Sequence, residues 1–551
     1  MWLPNTVSLL FAHPLFSSLL RATALSRFDA DMTLHVLHLA GADVPISSAT
    51  LVLATAVILL PFLVWKFVLQ DEQPYPGIPM LDTKEEGEKT NSEAKKRYLL
   101  KAKEILHQGM AKFNGRPFQI IGRNGPIVVI PTAFANEVRN DTRLSIAGQL
   151  AKDFFPTYPG LEPFGASVSN DIFQDMIRKN LTQLIGGMTP DLSKELNRIL
   201  GELLPTSKEW SEIKFHRLCL MIPSQVSAKV FLGEPLCHNK EWLDISIKYT
   251  VDSFIAARKL RVTPPFLRPI LHYFMPEMKV IKKEVARARE LIEPEVEKRR
   301  KARAEALAAG KEPPKAMDSL AWLDEVAAGR PFDVALAQLL LSVAATHTSV
   351  RTIVALMYDL VENPHYIDLL REEIKEVLKA DGGWNKNSLY KMKLMDSVMK
   401  ESQRMHVVAA LTMNRRVMEP FKLSDGTYLP EGAIVAVPTH ELTEEAHWPE
   451  ADKFDGHRFL RMRQEPGQET RWQFVSTSPD HLGFGHGLHS CPGRFFASNA
   501  TKITLIHMLM KWDWKLVDGQ KRSPQSRWQS EFAPDPEATI MVRARESEIQ
   551  F

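Results

Sequence analysis

The chain has 551 residues, 44% of them hydrophobic and 25% charged, with a formal net charge of +3. That balance is ordinary for a globular protein, and so small a charge makes no case for nucleic acid. The cysteines are Cys219, Cys237 and Cys491; they form no disulfide framework and point to a reducing compartment.

Residues 1–45 carry apolar runs, Val7 to Phe11 and Leu15 to Leu20, broken by His13 and Pro14. They read as an extension lying along a membrane surface. From Ile46 to Leu69 the chain includes ATLVLATAVILLPFLVW, which contains no charge. This is about long enough to cross the hydrocarbon core as a helix, and Pro61 is tolerable in a membrane. A buried core helix is the alternative. The stretch starts too late, and lacks the preceding basic region, for a cleaved signal. Arg21 and Arg27 on one side balance Lys66 and Lys84 on the other, so charge leaves the orientation open. Residues 70–90, with Pro74, Pro76 and Pro79, form a stiff connector.

Residues 91–113 read as an amphipathic helix with Tyr98, Ala102, Ile105 and Met110 on one side. Phe118 to Ile121 and Ile127 to Ile130, around Asn124-Gly125, read as a β-hairpin. Residues 132–139 suit a helix. Residues 145–170, rich in Gly, Pro, Ser and aromatics, read as a long loop. Residues 172–184 are a helix carrying Arg178 and Lys179, and 276–309 a charged helix with a solvated face.

A long helix spans 333–363, with Asp333 as cap and Pro364 at its end. Its centre, Ala344-Ala345-Thr346-His347-Thr348-Ser349, is small enough to let something flat approach. Taken alone, it reads as a threonine and a histidine satisfied inside a buried helix. Residues 394–404 form another helix that puts Glu401 and Arg404 three positions apart, on one face. Most such pairs are surface ion pairs. Val407, Val408, Ala409 and Ala410 follow, apolar and small, then a β region with a turn at Asp425-Gly426 and a strand at Ile434 to Val437. Residues 461–480 read as a loop.

Everything leads to Phe484-Gly485-His486-Gly487-Leu488-His489-Ser490-Cys491-Pro492-Gly493-Arg494. The glycines let the backbone bend and approach a ligand closely. A cysteine in such a loop at a helix N-terminus sees the positive end of the dipole, which favours the metal-binding thiolate. Two other readings stay open. Cys491 could be a structural thiol, or His481, His486, His489 and Cys491 could hold zinc.

The segment fits Phe-x-x-Gly-x-His-x-Cys-x-Gly and resembles the haem-binding loop of cytochrome P-450 monooxygenases. The resemblance implies a mainly α fold: one large haem domain, 91–551, with a small β region, after a single transmembrane anchor at 46–69. It implies haem b (iron protoporphyrin IX) with Cys491 as the axial thiolate. Phe484 would lie near the sulfur, and His489 and Arg494 near the propionates or their loop. The 333–363 helix is similar to the family's oxygen-binding helix, usually Ala-Gly-x-acid-Thr-Thr. Thr348 falls on the threonine that bonds dioxygen. His347 stands where the acid is usual, and a histidine can still relay protons. Glu401, Arg404 and Arg458 resemble the buried triad that locks the haem-side core.

The resemblance also places Ala344, Val407, Val408, Ala409 and Ala410 at the substrate. No nicotinamide or flavin motif occurs in the chain, so NADPH electrons are expected through a separate NADPH–cytochrome P-450 reductase. Lys391, Lys393, Arg461 and Arg463 are candidate docking charges. The expected setting is the endoplasmic reticulum membrane, with the catalytic domain cytosolic. Residues 474–484, the His347-Thr348 pair and 455–459 look like fungal ent-kaurene oxidases and oxidases of indole-diterpene and meroterpenoid pathways. A terpenoid-derived substrate is expected first and a polyketide or alkaloid second. A haem-binding carrier or sensor without oxygenase activity is the rival of another class.

Overall fold

The structure, a computed structural model, describes residues 91–549 except 123, 167–170, 386, 440–443, 446, 524–525 and 529–530, together with parts of 34–88. Two compact units divide the chain, Met1–Asp71 and Glu72–Phe551. In the first, β1 (Leu34–Leu39) and β2 (Ala42–Ser47) pair antiparallel, with Leu34 opposite Ser47. Leu53, Thr55, Val57 and Leu59 are helical. The expected membrane span does not begin at Ile46, because Ile46 and Ser47 are paired into the β1–β2 ladder. Most of the rest of that span, and residues 1–33, lie outside the described residues.

In the second unit α1 (Ser92–Lys112) precedes the hairpin β3 (Phe118–Gly122) and β4 (Gly125–Val129), then β5 (Leu144–Ser145) and α2 (Ile146–Phe154). Next come α3 (172–184), α4 (Thr189–Leu203), β6 (Ser211–Lys214), α5 (Met221–Phe231), α6 (Lys240–Val262), α7 (Pro276–Ala308) and α8 (Ser319–Ala327). They are followed by α9 (Val334–Glu362), α10 (His365–Asp381), α11 (Lys393–Met405), β7 (Leu411–Val417), β8 (Phe421–Lys422), β9 (Tyr428–Leu429) and β10 (Ile434–Pro438). Last are α12 (Arg458–Gln464), α13 (Arg494–Lys511), β11 (Trp512–Lys515), β12 (Ser526–Trp528), β13 (Glu531–Ala533) and β14 (Thr539–Ala544). The unit is mainly helical, as expected. Its larger sheets run β3-β4-β10-β7-β5 and β11-β14-β6, with β4 and β10 parallel.

The organising element is α9. Asp333 caps it, accepting a bond from Leu336 N at 3.0 Å, and Arg289 on α7 fixes that carboxylate at 2.9 Å. The helix packs against α5, α6, α7, α11 and α13. Among the described residues it is the one helix long and apolar enough to cross a membrane, yet 61% of its most apolar window is buried. That makes it the core helix of this unit.

Buried charge joins the helices on the cysteine side. Asp396 on α11 accepts from Lys502 on α13 at 2.6 Å, from Arg463 on α12 at 3.0 Å and from Phe474 N at 2.8 Å. A buried carboxylate is tolerable when cations and backbone donors surround it in this way. Glu373 on α10 caps α11 by accepting from Leu394 N at 2.6 Å and Met395 N at 2.8 Å.

Two segments expected to be loops are partly helical. Within 145–170, Ser145 caps α2 by accepting from Gly148 N at 2.9 Å. Ile146, Leu150 and Phe154 then recur at four-residue spacing until Phe155 turns left-handed at φ 49°. Within 461–480, α12 runs on to Gln464, anchored by Arg458 and Arg463. The centre of α3 is a π-helical turn, Ile177–Leu181, carrying Arg178 and Lys179. Such turns often sit at functional sites.

Candidate active site

The Cys491 loop is held by its own backbone and by three other segments. Cys491 N donates to Phe484 O at 2.8 Å, and Arg494 Nη1 donates to Cys491 O at 2.9 Å. Leu488 N donates to Asn140 Oδ1 at 2.9 Å, and Arg178 Nη2 donates to Leu488 O at 3.1 Å. His489 Nε2 donates to Leu144 O at 3.2 Å. Gly485 and Gly487 have φ of 68° and 78°, and a Cβ on Gly487 would lie 2.4 Å from Arg139 O. Glycine at 487 is therefore dictated by both conformation and space. Phe484 packs edge-on to Phe474, ring centroids 5.1 Å apart.

The loop favours thiolate through its own donors, as expected, but burial acts against them. Burial pushes the Cys491 thiol up; the Gly493 and Arg494 N–H groups and the Arg494 charge oppose this without overcoming it. Ionisation here therefore calls for a bound cation such as a metal. The zinc alternative has no geometric support. His481 faces Lys400 O, His486 faces Asn136 and Thr477, and His489 faces Leu144 O.

Cations gather beside the loop. Burial lowers the pKa of His489, and the nearby charges of Arg415 and Arg178 lower it further. Burial and Arg178 likewise lower Arg494. Arg415 is buried on β7 and pushed down to about 10 by burial. Among the described residues no ion pair with a carboxylate joins Arg178, Arg415, His489 or Arg494. The buried Arg415, the half-buried Arg494 and the exposed Arg178, three cations without counter-ions among the described residues, fit an anionic ligand. The sequence reading missed Arg415. Its signal was present: Leu411, Met413, Arg415 and Val417 alternate along β7 on the buried face, and an arginine in that series is out of place.

On α9, Ala344 and Thr348 are exposed one turn apart, although Leu341, Ser342, Thr346 and Val350 around them are buried. The Thr348 hydroxyl donates to Ala344 O at 2.7 Å. This small, one-hydroxyl stripe is the open face in the middle of the core helix. His347 points elsewhere: its Nε2 donates to Ile247 O on α6 at 3.1 Å, and burial lowers its pKa. The ring is therefore neutral near pH 7 and joins α9 to α6.

Glu401, Arg404 and Arg458 come together in the core, Glu401 and Arg404 fully buried and Arg458 nearly so. Arg404 donates to Glu401 from Nε at 2.9 Å and Nη2 at 2.8 Å, and Asp455 N adds a bond at 3.2 Å. Arg458 also donates to Pro449 O at 2.7 Å and Glu450 O at 3.1 Å. One carboxylate thus fixes α11, the start of α12 and the chain between them.

The residues after α11 divide. Val407 and Val408 line a small cleft of about 20 Å³ with Arg351, Thr352 and Phe532. Ala409 is tied through its carbonyl to Thr439 Oγ1 at 2.5 Å. Ala410 is core, 1% exposed and packed with Leu411, Ala436 and Phe118, so it does not line a pocket. Among the candidate docking charges, Arg463 is buried against Asp396 and is unavailable to a partner. Lys391 is paired with Asp381 and Arg461 with Asp455. Lys393 is exposed.

The donor set suits a haem. Such a group brings one iron and two carboxylates, matching the half-buried Cys491 thiol beside Arg178, Arg415 and Arg494. The comparisons agree. The Cytochrome P-450 family model matches residues 106–541. The chain is 40% identical over 477 residues to cytochrome P-450 monooxygenase hepE of Aspergillus oryzae, covering 86% of this chain and 87% of that protein. It is 38% identical over 490 residues to cytochrome P-450 monooxygenase adrA of Penicillium rubens, covering 88% and 95%. It is 40% identical over 437 residues to cytochrome P-450 monooxygenase 1 of Gibberella fujikuroi, covering 79% and 99%. The fold is similar to that of retinoic acid-bound cyanobacterial CYP120A1, with TM-score 0.58 at 15% identity over 80% of this chain and 94% of that one.

Proposed function

The chain belongs to the cytochrome P-450 family, and from that premise we propose that it oxidises an apolar, terpenoid-derived intermediate of fungal natural-product biosynthesis. It is a haem-thiolate monooxygenase supplied with electrons by a reductase partner. When bound, the haem supplies the oxygen chemistry, and the protein supplies binding, orientation and exclusion of water.

In our reading the Cys491 thiolate would hold the haem iron, and Arg178, Arg415 and His489 would hold the haem carboxylates. Arg494 closes the loop by gripping the Cys491 carbonyl. Glu401, Arg404 and Arg458 keep the haem side rigid. Thr348 holds a hydroxyl proton on the open stripe of α9, next to the small Ala344, where oxygen and substrate need room. His347 acts by fixing α9 against α6, with any part in proton delivery indirect. Val407, Val408 and Ala409 contribute the apolar wall through which the segment after α11 meets substrate. The apolar stretch after Ser47, up to residue 69, anchors the protein as a single pass in the endoplasmic reticulum membrane, 70–90 connect, and the haem domain faces the cytosol beside NADPH–cytochrome P-450 reductase.

The observation that carries the reading is the Ala344–Thr348 stripe, exposed in the middle of a largely buried helix. The terpenoid assignment rests on the likeness of residues 474–484, His347-Thr348 and 455–459 to terpenoid oxidases, and on relatives drawn from fungi. The test is incubation of microsomes holding the protein and reductase with diterpene, indole-diterpene and meroterpenoid skeletons. The expected result is an NADPH-dependent product heavier by one oxygen, formed only in the membrane fraction. Conversion of polyketide or alkaloid skeletons alone would overturn the terpenoid assignment.

A further inference from the structure

Outside the cysteine loop, the turn between α5 and α6 gathers a second set of metal-type donors. Glu234, Cys237 and His238 each offer a ligand atom, all within 4.8 Å of one another. His238 Nδ1 lies 3.5 Å from Glu234 Oε2, and the Glu234 carboxylate and the Cys237 thiol share a hydrogen bond. The other ring nitrogen, Nε2, faces Glu195 Oε1 on α4 at 3.2 Å. Glu195 is buried and held in turn by Arg198 at 2.5 Å. Metal-binding histidines are oriented in this way, one nitrogen toward the metal and the other donating to a fixed carboxylate.

We propose that Glu234, Cys237 and His238 bind one zinc ion, with Glu195 orienting His238 and water filling the fourth position. The mixture of sulfur, nitrogen and one carboxylate oxygen suits four-coordinate zinc, whereas calcium and magnesium call for oxygen donors throughout. The side chains of Glu234 and His238 are 56% and 41% exposed, while Cys237 is 1% exposed. The ion sits at the mouth of the turn with its thiol ligand behind it and an open side for water. Binding releases the Cys237 proton to solvent, leaving thiolate on the metal. Lys229 opposes it: its Nζ lies 2.7 Å from Glu234 Oε1 and must let go of that carboxylate. A bound ion would pin the start of α6 to α4. Through Ile247, α6 is also the helix that His347 ties to α9.

The test uses the full-length, haem-loaded protein. After removal of adventitious metal it is equilibrated with graded Zn²⁺, bound zinc is measured by elemental analysis, and the zinc environment is read by X-ray absorption. The expected result is one zinc per chain with a single Zn–S contact near ~2.3 Å. Cys237→Ser should remove that contact, and His238→Ala should weaken binding at least ~10-fold. Glu195→Gln, which touches no metal, should weaken it ~10–100-fold. Lys229→Met, which frees the Glu234 carboxylate, should tighten it. Zinc held by nitrogen and oxygen alone, in an amount that Cys237→Ser and His238→Ala leave unchanged, would overturn the site. The cluster would then be an ion-pair network. An intact haem spectrum in each variant separates loss of the site from loss of the fold.

Discussion

Arg458 donates from Nε to both carboxylate oxygens of Glu401, at 3.1 and 3.2 Å, across 57 positions of sequence. With Arg404 on the other side, Glu401 is a single buried anion between two cations. Removing one partner from such a centre leaves charge uncompensated in a dry environment. Arg458→Leu should therefore cost about 3–5 kcal/mol and also orphan the Pro449 and Glu450 carbonyls. Urea unfolding of the haem protein checks this; a loss below about 1 kcal/mol, the scale of a surface pair, would contradict it.

The Asp396 centre should respond asymmetrically. Lys502→Met leaves Asp396 with Arg463 and the Phe474 N–H, so the carboxylate keeps partners. Asp396→Ala leaves two buried cations facing each other, and should cost at least about 1 kcal/mol more. Equal losses in chemical denaturation would show that the three groups do not act as one centre.

His507 sets a pH dependence. Burial pushes its pKa down to about 3 from an ordinary 6.5. Between those values the unfolded chain binds a proton that the folded chain does not. Stability is thus fully present above about pH 6.5 and is lost as pH falls toward 3, by about 2 kcal/mol from this residue between pH 7 and 5. His507→Gln should flatten the curve by that amount. Parallel curves for the two proteins, followed by thermal unfolding, would rule the residue out.

Gly487→Ala combines a strained φ of 78° with a Cβ 2.4 Å from Arg139 O. The loop must shift to accept it, so haem content of purified protein should fall several-fold. Gly201→Ala on α4, where nothing lies within 4 Å, is the control and should retain full haem. Equal haem content in the two variants would mean that the loop tolerates the shift.

Local chemistry was legible in the chain, and long-range pairing was legible only through family likeness. Asp333 and Pro364 marked the ends of α9 because caps and breakers act within a few residues. Glu401 and Arg404 could be placed on one face by helical spacing, but nothing local marks Arg458 as their partner. Nothing local marks Asp396 and Lys502 as the partners of Arg463, which was therefore misplaced at the surface as a docking charge. α2 was lost among glycines and prolines although Ser145 and the Ile146, Leu150, Phe154 spacing announced it. Ala410 was grouped with its apolar neighbours, because one sequence cannot tell a pocket wall from core packing. Arg415 went unseen because strand alternation was not followed through it.

The account stands most directly on Cys491 as a metal-bound thiolate. The decisive measurement is the absorption spectrum of the reduced, carbon monoxide-bound protein in membranes, beside Cys491→Ala. The account predicts a Soret band near ~450 nm that the substitution abolishes. A band near ~420 nm in folded native protein, or one near ~450 nm that survives Cys491→Ala, would contradict it.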